Sequence, residues 1–183
     1  MGVAVGRQFD GQGPLRGGHV GPNPTDRGKA GTKRSILVDG DGGPLGVIVA
    51  GANVNDFKLL RSTLESVVVG RPECEQHLCL DKGYDNPVGR EETAAHGYIP
   101  NIRRIGEEKL DETGKKALPA RRWVVERTFA WLSKCRALLV RYEKKAANYL
   151  GLIQLACLLL WFRRYGSNAV FGQIKRNFRR PES

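Results

Sequence analysis

Two β-rich runs separated by a turn constrain the fold of this chain more than any other feature. Residues 35–38 (Ser-Ile-Leu-Val) and 45–49 (Leu-Gly-Val-Ile-Val) flank a loop at 39–44 that is dense in Gly, Asp and Pro. These residues form tight turns, so the pattern predicts an antiparallel hairpin. Apolar residues at helical spacing follow in 57–67, and a short apolar run follows at 77–80. The order strand, strand, helix, strand predicts an α/β domain.

The rest of the chain divides by composition. Residues 1–31 are rich in Gly and Pro and lack a sustained apolar period, so we expect little regular structure there. A short helix and a strand are predicted up to residue 102, followed by a polar loop at 103–120. A long amphipathic helix over 121–142 and a buried helix over 149–165 come next. The predicted domain therefore spans 32–165, and 166–183 forms a basic tail.

The positive charge is concentrated in the second half of the chain. The formal net charge is +11, and residues 103–180 carry 19 Lys and Arg against 6 Asp and Glu. Such a surplus favours a polyphosphate partner, because neutralised phosphates release condensed counterions. A solvated basic surface without a ligand is the alternative explanation.

The sequence also indicates where the protein acts. No apolar leader follows Met1, and the longest apolar run, at 155–162, is too short to cross a bilayer. We therefore expect a cytoplasmic protein with no membrane partner. The four cysteines form no CxxC pair of the kind that zinc sites and redox motifs use.

Two acidic residues stand out from their surroundings. Asp81 directly follows the apolar run at 77–80, and α/β sheets bind ligands where their strands end. An Asp after a strand also serves as a turn former or helix cap. Glu126 is the sole acid between positions 118 and 139, in an otherwise basic helix. An ion pair with Arg122 would account for Glu126 without any function, so spacing alone leaves both roles open.

Several sequence blocks occur in a defined order along the chain. They are Gly-Pro-Asn-Pro-Thr-Asp-Arg-Gly-Lys-Ala-Gly-Thr-Lys-Arg at 21–34, Gly-Ala-Asn at 51–53, Leu-Asp-Lys-Gly-Tyr-Asp at 80–85, Arg-Trp-Val-Val-Glu-Arg-Thr-Phe-Ala-Trp-Leu at 122–132 and Val-Arg-Tyr-Glu at 140–143. In order and spacing they resemble the DDE transposases of bacterial insertion sequences over residues 19–165. Several blocks in register are far more specific than any single one.

This resemblance implies a ribonuclease-H-like α/β fold, in which helices flank a mixed sheet, and a metal-dependent reaction on DNA. In this family two Asp and one Glu hold two divalent ions, Mg²⁺ or Mn²⁺. The ions serve DNA cleavage and strand transfer, the recombination steps of transposition. Asp81 matches the second Asp and Glu126 matches the Glu, so both are assigned as catalytic and metal-binding residues.

The resemblance further implies contacts to transposon ends and target DNA, and association with itself or with a full-length transposase. Arg122 fits the Arg that precedes the family's Glu, and Lys134 lies one residue beyond the common place of the basic residue that follows it. Arg127 and Lys82 each follow one of the two acids. All four are assigned as DNA-binding residues that position phosphates rather than read bases.

The first Asp of the family pattern has no counterpart at its usual place. The family has it in a strand of the form Asp-Ser-Ser-x-Val-Arg, and Asp10 lies too close to the block at 21–34 to match it. Reading residues 6–13 one nucleotide later can give Val-Asp-Ser-Ser-Thr-Val-Arg-Ala, with the Asp at position 7. We therefore hypothesise that the N-terminal segment is out of frame, that the first strand is missing or garbled, and that the chain is an inactive or partial product.

Two function classes remain open from the sequence. The first is a DNA transposase catalytic domain, and the alternative is a non-enzymatic DNA-binding transposase fragment. A nuclease of the same fold is less favoured, because the matching blocks are transposase-like. A third carboxylate close enough to Asp81 and Glu126 to share a metal pair separates the first two classes.

Overall fold

A computed structural model describes residues 2–10, 17–24, 26–102 and 122–166, with the backbone alone at 2, 7–10, 122, 165 and 166. Its strands are β1 (Gly2–Asp10), β2 (Gly21–Pro22), β3 (Ala30–Val38), β4 (Pro44–Gly51), β5 (His77–Leu80) and β6 (Ile99–Ile102). Its helices are α1 (Asp56–Glu65), α2 (Pro87–Ala95), α3 (Arg122–Leu132) and α4 (Ala146–Trp161). Short helical turns lie at Lys82–Tyr84, Arg136–Leu138 and Phe162–Gly166.

The strands form one mixed sheet. Strand β3 pairs antiparallel with both β4 and β1, whereas β1, β5 and β6 run parallel to one another. The order across the sheet is β4-β3-β1-β5-β6, and β2 extends it beside the start of β3. This arrangement confirms the predicted α/β fold built on a mixed sheet. The parallel strands β1 and β5 run in the same direction, and β1 continues past the end of β5.

Helices cover both faces of the sheet, because alternate residues of a strand point to opposite sides. Ala4 and Ile36 pack with Val125 and Phe129 of α3 on one face. Val3 and Leu37 pack with Leu60 of α1 on the other face. The sheet is therefore sandwiched between two apolar layers, and α3 lies directly over β1.

The expectation of an irregular N-terminal segment with a missing first strand is wrong for residues 2–10. These residues form β1, which lies between β3 and β5 and pairs with β3 at every position from Ala4 to Asp10. Hydrogen bonding to both neighbours and burial of Val3, Ala4 and Val5 outweigh the glycine-rich composition. Strand propensity depends on such tertiary packing, which composition does not report.

The helix predicted over 121–142 is shorter than expected. Helix α3 ends at Leu132, and the backbone N–H groups of Ser133, Lys134 and Cys135 donate to carbonyls of its last turn. The chain then turns so that Arg141, only 1% exposed, enters the interior. The buried position of Arg141 is incompatible with one straight amphipathic helix through this segment.

Helix α4 is apolar around most of its circumference. The segment Ala146–Arg164 is long and apolar enough to cross a membrane by length and composition alone. Tyr149, Ile153, Ala156 and Cys157 of this helix are buried in the core cluster beneath α3 and β4. Leu155, Leu158, Leu159 and Phe162, by contrast, are exposed. The helix therefore buries one face only, and the prediction of a helix buried all round is wrong.

Candidate active site

Asp81 stands at the end of β5, where it starts a short helical turn. Its backbone is extended (φ −73°, ψ 159°), and its Oδ1 accepts a hydrogen bond of 2.6 Å from the backbone N–H of Lys82. The side chain is half-buried. Asp81 therefore caps the turn Lys82–Tyr84, and this cap fixes the direction of its carboxylate at the edge of the sheet.

Glu126 lies on the exposed side of α3, one residue after the buried Val125. The opposite side of the helix rests on the sheet through Val125 and Phe129. An ion pair with Arg122 stays a prediction, because the structure describes only the backbone of Arg122. The packing of α3 holds Glu126 above the middle of β1, near Val5 and Gly6.

Asp81 and Glu126 both line one small cavity of about 170 Å³. It is lined by Val5, Gly6, Asp81, Gly83, Tyr84, Val125, Glu126 and Phe129. Residues far apart in the sequence thus meet between the end of β5 and the middle of α3. The buried ring of Tyr84 and the side chains of Val125 and Phe129 form its apolar wall.

Gly6 allows α3 to approach the sheet this closely. A Cβ atom at this position would lie 2.7 Å from both Cγ atoms of Val125 and 3.2 Å from Phe129. Strands β1 and β5 are in register with Ala4 beside Cys79, so two residues further along Gly6 lies beside Asp81. Position 6 therefore lies on the α3 side of β1, at the cavity that Asp81 and Glu126 line.

The described side chains do not supply a third ligand. Among them no group of three or more His, Cys, Asp and Glu side chains is placed to hold a metal ion. Asp10 pairs with Thr32 at the far end of β1, four residues beyond Gly6. Four residues of extended strand span about 13 Å. The backbone of Asp10 is thus distant from the cavity.

The four basic residues predicted to bind DNA lie in different places. Lys82 is exposed beside Asp81. Arg127 donates a hydrogen bond of 2.5 Å to the backbone carbonyl of Asp41 and stacks between two tryptophans of α3. Lys134 lines a larger cavity of about 540 Å³ between α4 and the turn after β3. The side chain of Arg122 lies outside the described side chains.

Sequence reasoning missed Gly6 and the two tryptophans, Trp123 and Trp131. The place of Gly6 depends on the register between β1 and β5, for which the sequence of β1 gives no signal. Trp123, Arg127 and Trp131 recur every four residues, and this spacing places them on one side of a helix. That signal was present in the sequence.

Comparisons with known proteins show which family this chain is similar to. The sequence profile of the family described as "Transposase DDE domain" matches residues 7–161, from within β1 to the end of α4. A Burkholderia cepacia protein named as a transposase for insertion sequence element IS402 is 36% identical over 147 residues, which is 77% of this chain and 67% of that protein.

Among solved structures, a piggyBac transposase in a synaptic complex with hairpin DNA, determined by cryo-electron microscopy, is 15% identical with a TM-score of 0.37. The match covers 64% of this chain and 26% of that one. The chain thus spans about a quarter of the length of that transposase.

Proposed function

The chain belongs to the DDE transposase family, and on that premise we propose that it acts in DNA transposition of an insertion sequence through the cavity that Asp81 and Glu126 line. The reaction would be metal-dependent cleavage of a DNA strand and its transfer to a target. One observation carries this proposal: two acids distant in sequence line the same cavity, where β5 ends. A cytoplasmic location fits a protein that acts on bacterial DNA.

The chemistry of the two side chains fits a divalent ion. Asp81 and Glu126 offer hard oxygen ligands, which Mg²⁺ and Mn²⁺ prefer, and Mg²⁺ completes its shell with water and phosphate oxygens. A pair of such ions, when bound, activates a water or a DNA 3′-hydroxyl and stabilises the leaving oxygen. Within the protein, the cap on Lys82 N–H orients Asp81, and the packing of α3 holds Glu126 in place.

The number of ligands, by contrast, does not fit two ions. Two carboxylates would be too few hard oxygen ligands to hold a pair of ions. Position 6 is the point of β1 where a further carboxylate would meet both, but Gly6 has no side chain to offer. We propose that the chain as written is a partial or inactive transposase whose metal site lacks its first carboxylate.

DNA is the proposed partner, both as transposon ends and as target. The excess of basic residues supports it, and Lys82 is exposed immediately beside Asp81, where it can contact a phosphate. Arg122 and Lys134 are proposed to hold phosphates further along the strand. Arg127 contacts the backbone of Asp41 and two tryptophan rings, so its proposed contribution to DNA binding acts through that stack.

The alternative function is a non-enzymatic DNA-binding fragment that co-assembles with a second copy or with a full-length transposase. The absence of a third carboxylate among the described side chains favours it. The two proposals agree on DNA binding and differ on chemistry. Strand cleavage by a protein given the missing carboxylate would support a transposase site, whereas a fragment evolved only for binding would not recover it.

Binding to duplex DNA is expected to weaken steeply with salt. Each phosphate neutralised by Lys or Arg releases counterions, so several contacts reduce affinity by roughly 10³-fold or more between 50 and 200 mM salt. Fluorescence anisotropy with a labelled duplex at a series of salt concentrations measures this slope. The Glu91→Gln variant, altered at an exposed acid of α2, serves as a control and should give the same slope. An affinity that does not change with salt concentration would show that the excess of basic residues does not serve to bind DNA phosphates.

A further inference from the structure

Helix α3 carries a stack of three side chains next to Glu126. Trp123, Arg127 and Trp131 lie on successive turns of the helix. The guanidinium carbon of Arg127 is 4.7 Å from the ring centre of Trp123 and 5.0 Å from that of Trp131. Cation–π contacts of this length hold the two rings and the guanidinium together.

Core packing does not account for Trp123. Its side chain is 56% exposed, although tryptophan is highly buried on average. The packing of α3 on the sheet is supplied instead by Val124, Val125 and Phe129. Trp123 thus presents a large aromatic surface to solvent from a helix whose apolar contacts are already made.

The exposed ring is also held in place. Arg127 stacks against Trp123, and its Nη2 is anchored to the backbone carbonyl of Asp41 in the turn between β3 and β4. A side chain fixed in this way loses little conformational entropy when a ligand stacks on it. On an α-helix, residues three positions apart are neighbours, so Trp123 is next to Glu126 on the helix surface.

On the basis of the proposed function, we propose that Trp123 is the stacking platform for an unpaired nucleobase of the DNA strand whose phosphate lies at Asp81 and Glu126. Aromatic side chains next to basic groups bind single strands by stacking, because every base has a π-face. Strand cleavage and transfer create DNA ends, and a base that is unpaired at such an end can stack on an exposed aromatic ring. Trp123 is placed to bind that base. Stacking there would fix the position of the DNA strand relative to Asp81 and Glu126.

A DNA duplex with a single-stranded overhang tests this role. A 2-aminopurine in the overhang loses fluorescence when it stacks on an aromatic ring, and a blunt duplex of the same sequence has no unpaired base. Trp123→Ala and Trp123→Leu should weaken binding to the overhang DNA roughly tenfold and abolish the quenching. Both should leave binding to the blunt duplex unchanged. Trp123→Phe should retain most of the affinity for the overhang DNA and most of the 2-aminopurine quenching.

The matched control is Tyr142→Ala, which removes an aromatic side chain that is 78% exposed elsewhere on the protein. It should leave both DNAs bound as before. Full quenching with Trp123→Ala or Trp123→Leu would overturn the inference. An equal loss of affinity for the overhang DNA and for the blunt duplex would overturn it as well. A change in the oligomeric mass of these variants, with unchanged DNA binding, would assign the surface to a protein partner and overturn it as well.

The same titrations separate this inference from the proposed function. If the unmodified chain binds neither DNA at low salt, DNA binding itself fails and the stacking role falls with it. If the unmodified chain binds the blunt duplex in a salt-sensitive way but Trp123→Ala has no effect on the overhang, only the stacking role is wrong.

Discussion

Gly6→Asp combined with Val125→Ala is expected to give the chain magnesium-dependent strand cleavage that the unmodified chain lacks. The new carboxylate would stand beside Asp81 and face Glu126, and the smaller side chain at 125 removes the methyl groups that a Cβ at position 6 would meet at 2.7 Å. Metal ions contribute several kcal/mol to such reactions. A gain on the order of 10³-fold over the unmodified chain therefore follows.

The substrate for this assay is a plasmid that carries the ends of the insertion sequence, and nicked or joined products are resolved on a gel. Gly6→Asn with Val125→Ala is the matched control, because it has the same shape without the charge. Adding Glu126→Gln to the Gly6→Asp protein should abolish cleavage again. Robust magnesium-dependent cleavage by the unmodified chain would contradict the prediction, because some other acid would then complete the site.

A second version of the protein distinguishes two positions for the missing acid. Replacing residues 6–13 by Val-Asp-Ser-Ser-Thr-Val-Arg-Ala restores the hypothetical frame and puts the carboxylate at position 7. The register of β1 and β5 favours position 6 instead, beside Asp81. If only the restored-frame version cleaves, the assignment to position 6 is wrong, and β1 of the complete protein is shifted by one residue.

Arg141→Met is expected to lower the free energy of unfolding by about 3 kcal/mol or more. Arg141 is 1% exposed, and its guanidinium donates to the carbonyls of Gly18, His19, Glu143 and Lys144 and to the hydroxyl of Thr32. It also lies 5.5 Å from the ring centre of Tyr149. Methionine would leave several of these acceptors without a partner, and each buried unsatisfied group costs about 1–3 kcal/mol.

Urea unfolding followed by circular dichroism measures the difference. Arg136→Met is the matched control, because Arg136 is an exposed arginine in the same segment and its change should stay within about 0.5 kcal/mol. Arg141→Lys should also destabilise the protein, since an ammonium lacks the planar fork that reaches several acceptors at once. A loss below about 1 kcal/mol for Arg141→Met would show that these hydrogen bonds contribute little to stability.

The sequence predicted those elements whose local pattern and tertiary environment agree. The hairpin of β3 and β4, helix α1 and strands β5 and β6 lie where alternation, helical period and turn residues placed them. Strand β1 was missed because its glycine-rich sequence gains its order from pairing on both sides. The early end of α3 was missed because the burial of Arg141 depends on contacts with distant residues.

The same division holds for the candidate site. Asp81 and Glu126 were found through sequence blocks whose order resembles a known family, and the structure brings them to one cavity. The sequence placed the missing carboxylate at position 7 through the frame hypothesis, whereas the register between β1 and β5 and the close approach of α3 to Gly6 favour position 6. Neither the strand register nor the distance between α3 and β1 can be predicted from the local sequence.

Binding of Mn²⁺ tests most directly whether Asp81 and Glu126 form one divalent-metal site, because it requires neither a DNA sequence nor a complete triad. Electron paramagnetic resonance of free Mn²⁺ gives the affinity. The unmodified chain should bind the ion weakly, and Asp81→Asn and Glu126→Gln should each reduce the affinity roughly tenfold or more, since each removes a hard oxygen ligand. Glu91→Gln should leave the affinity unchanged. Equal Mn²⁺ binding by the unmodified chain and by both site variants would contradict a shared metal site.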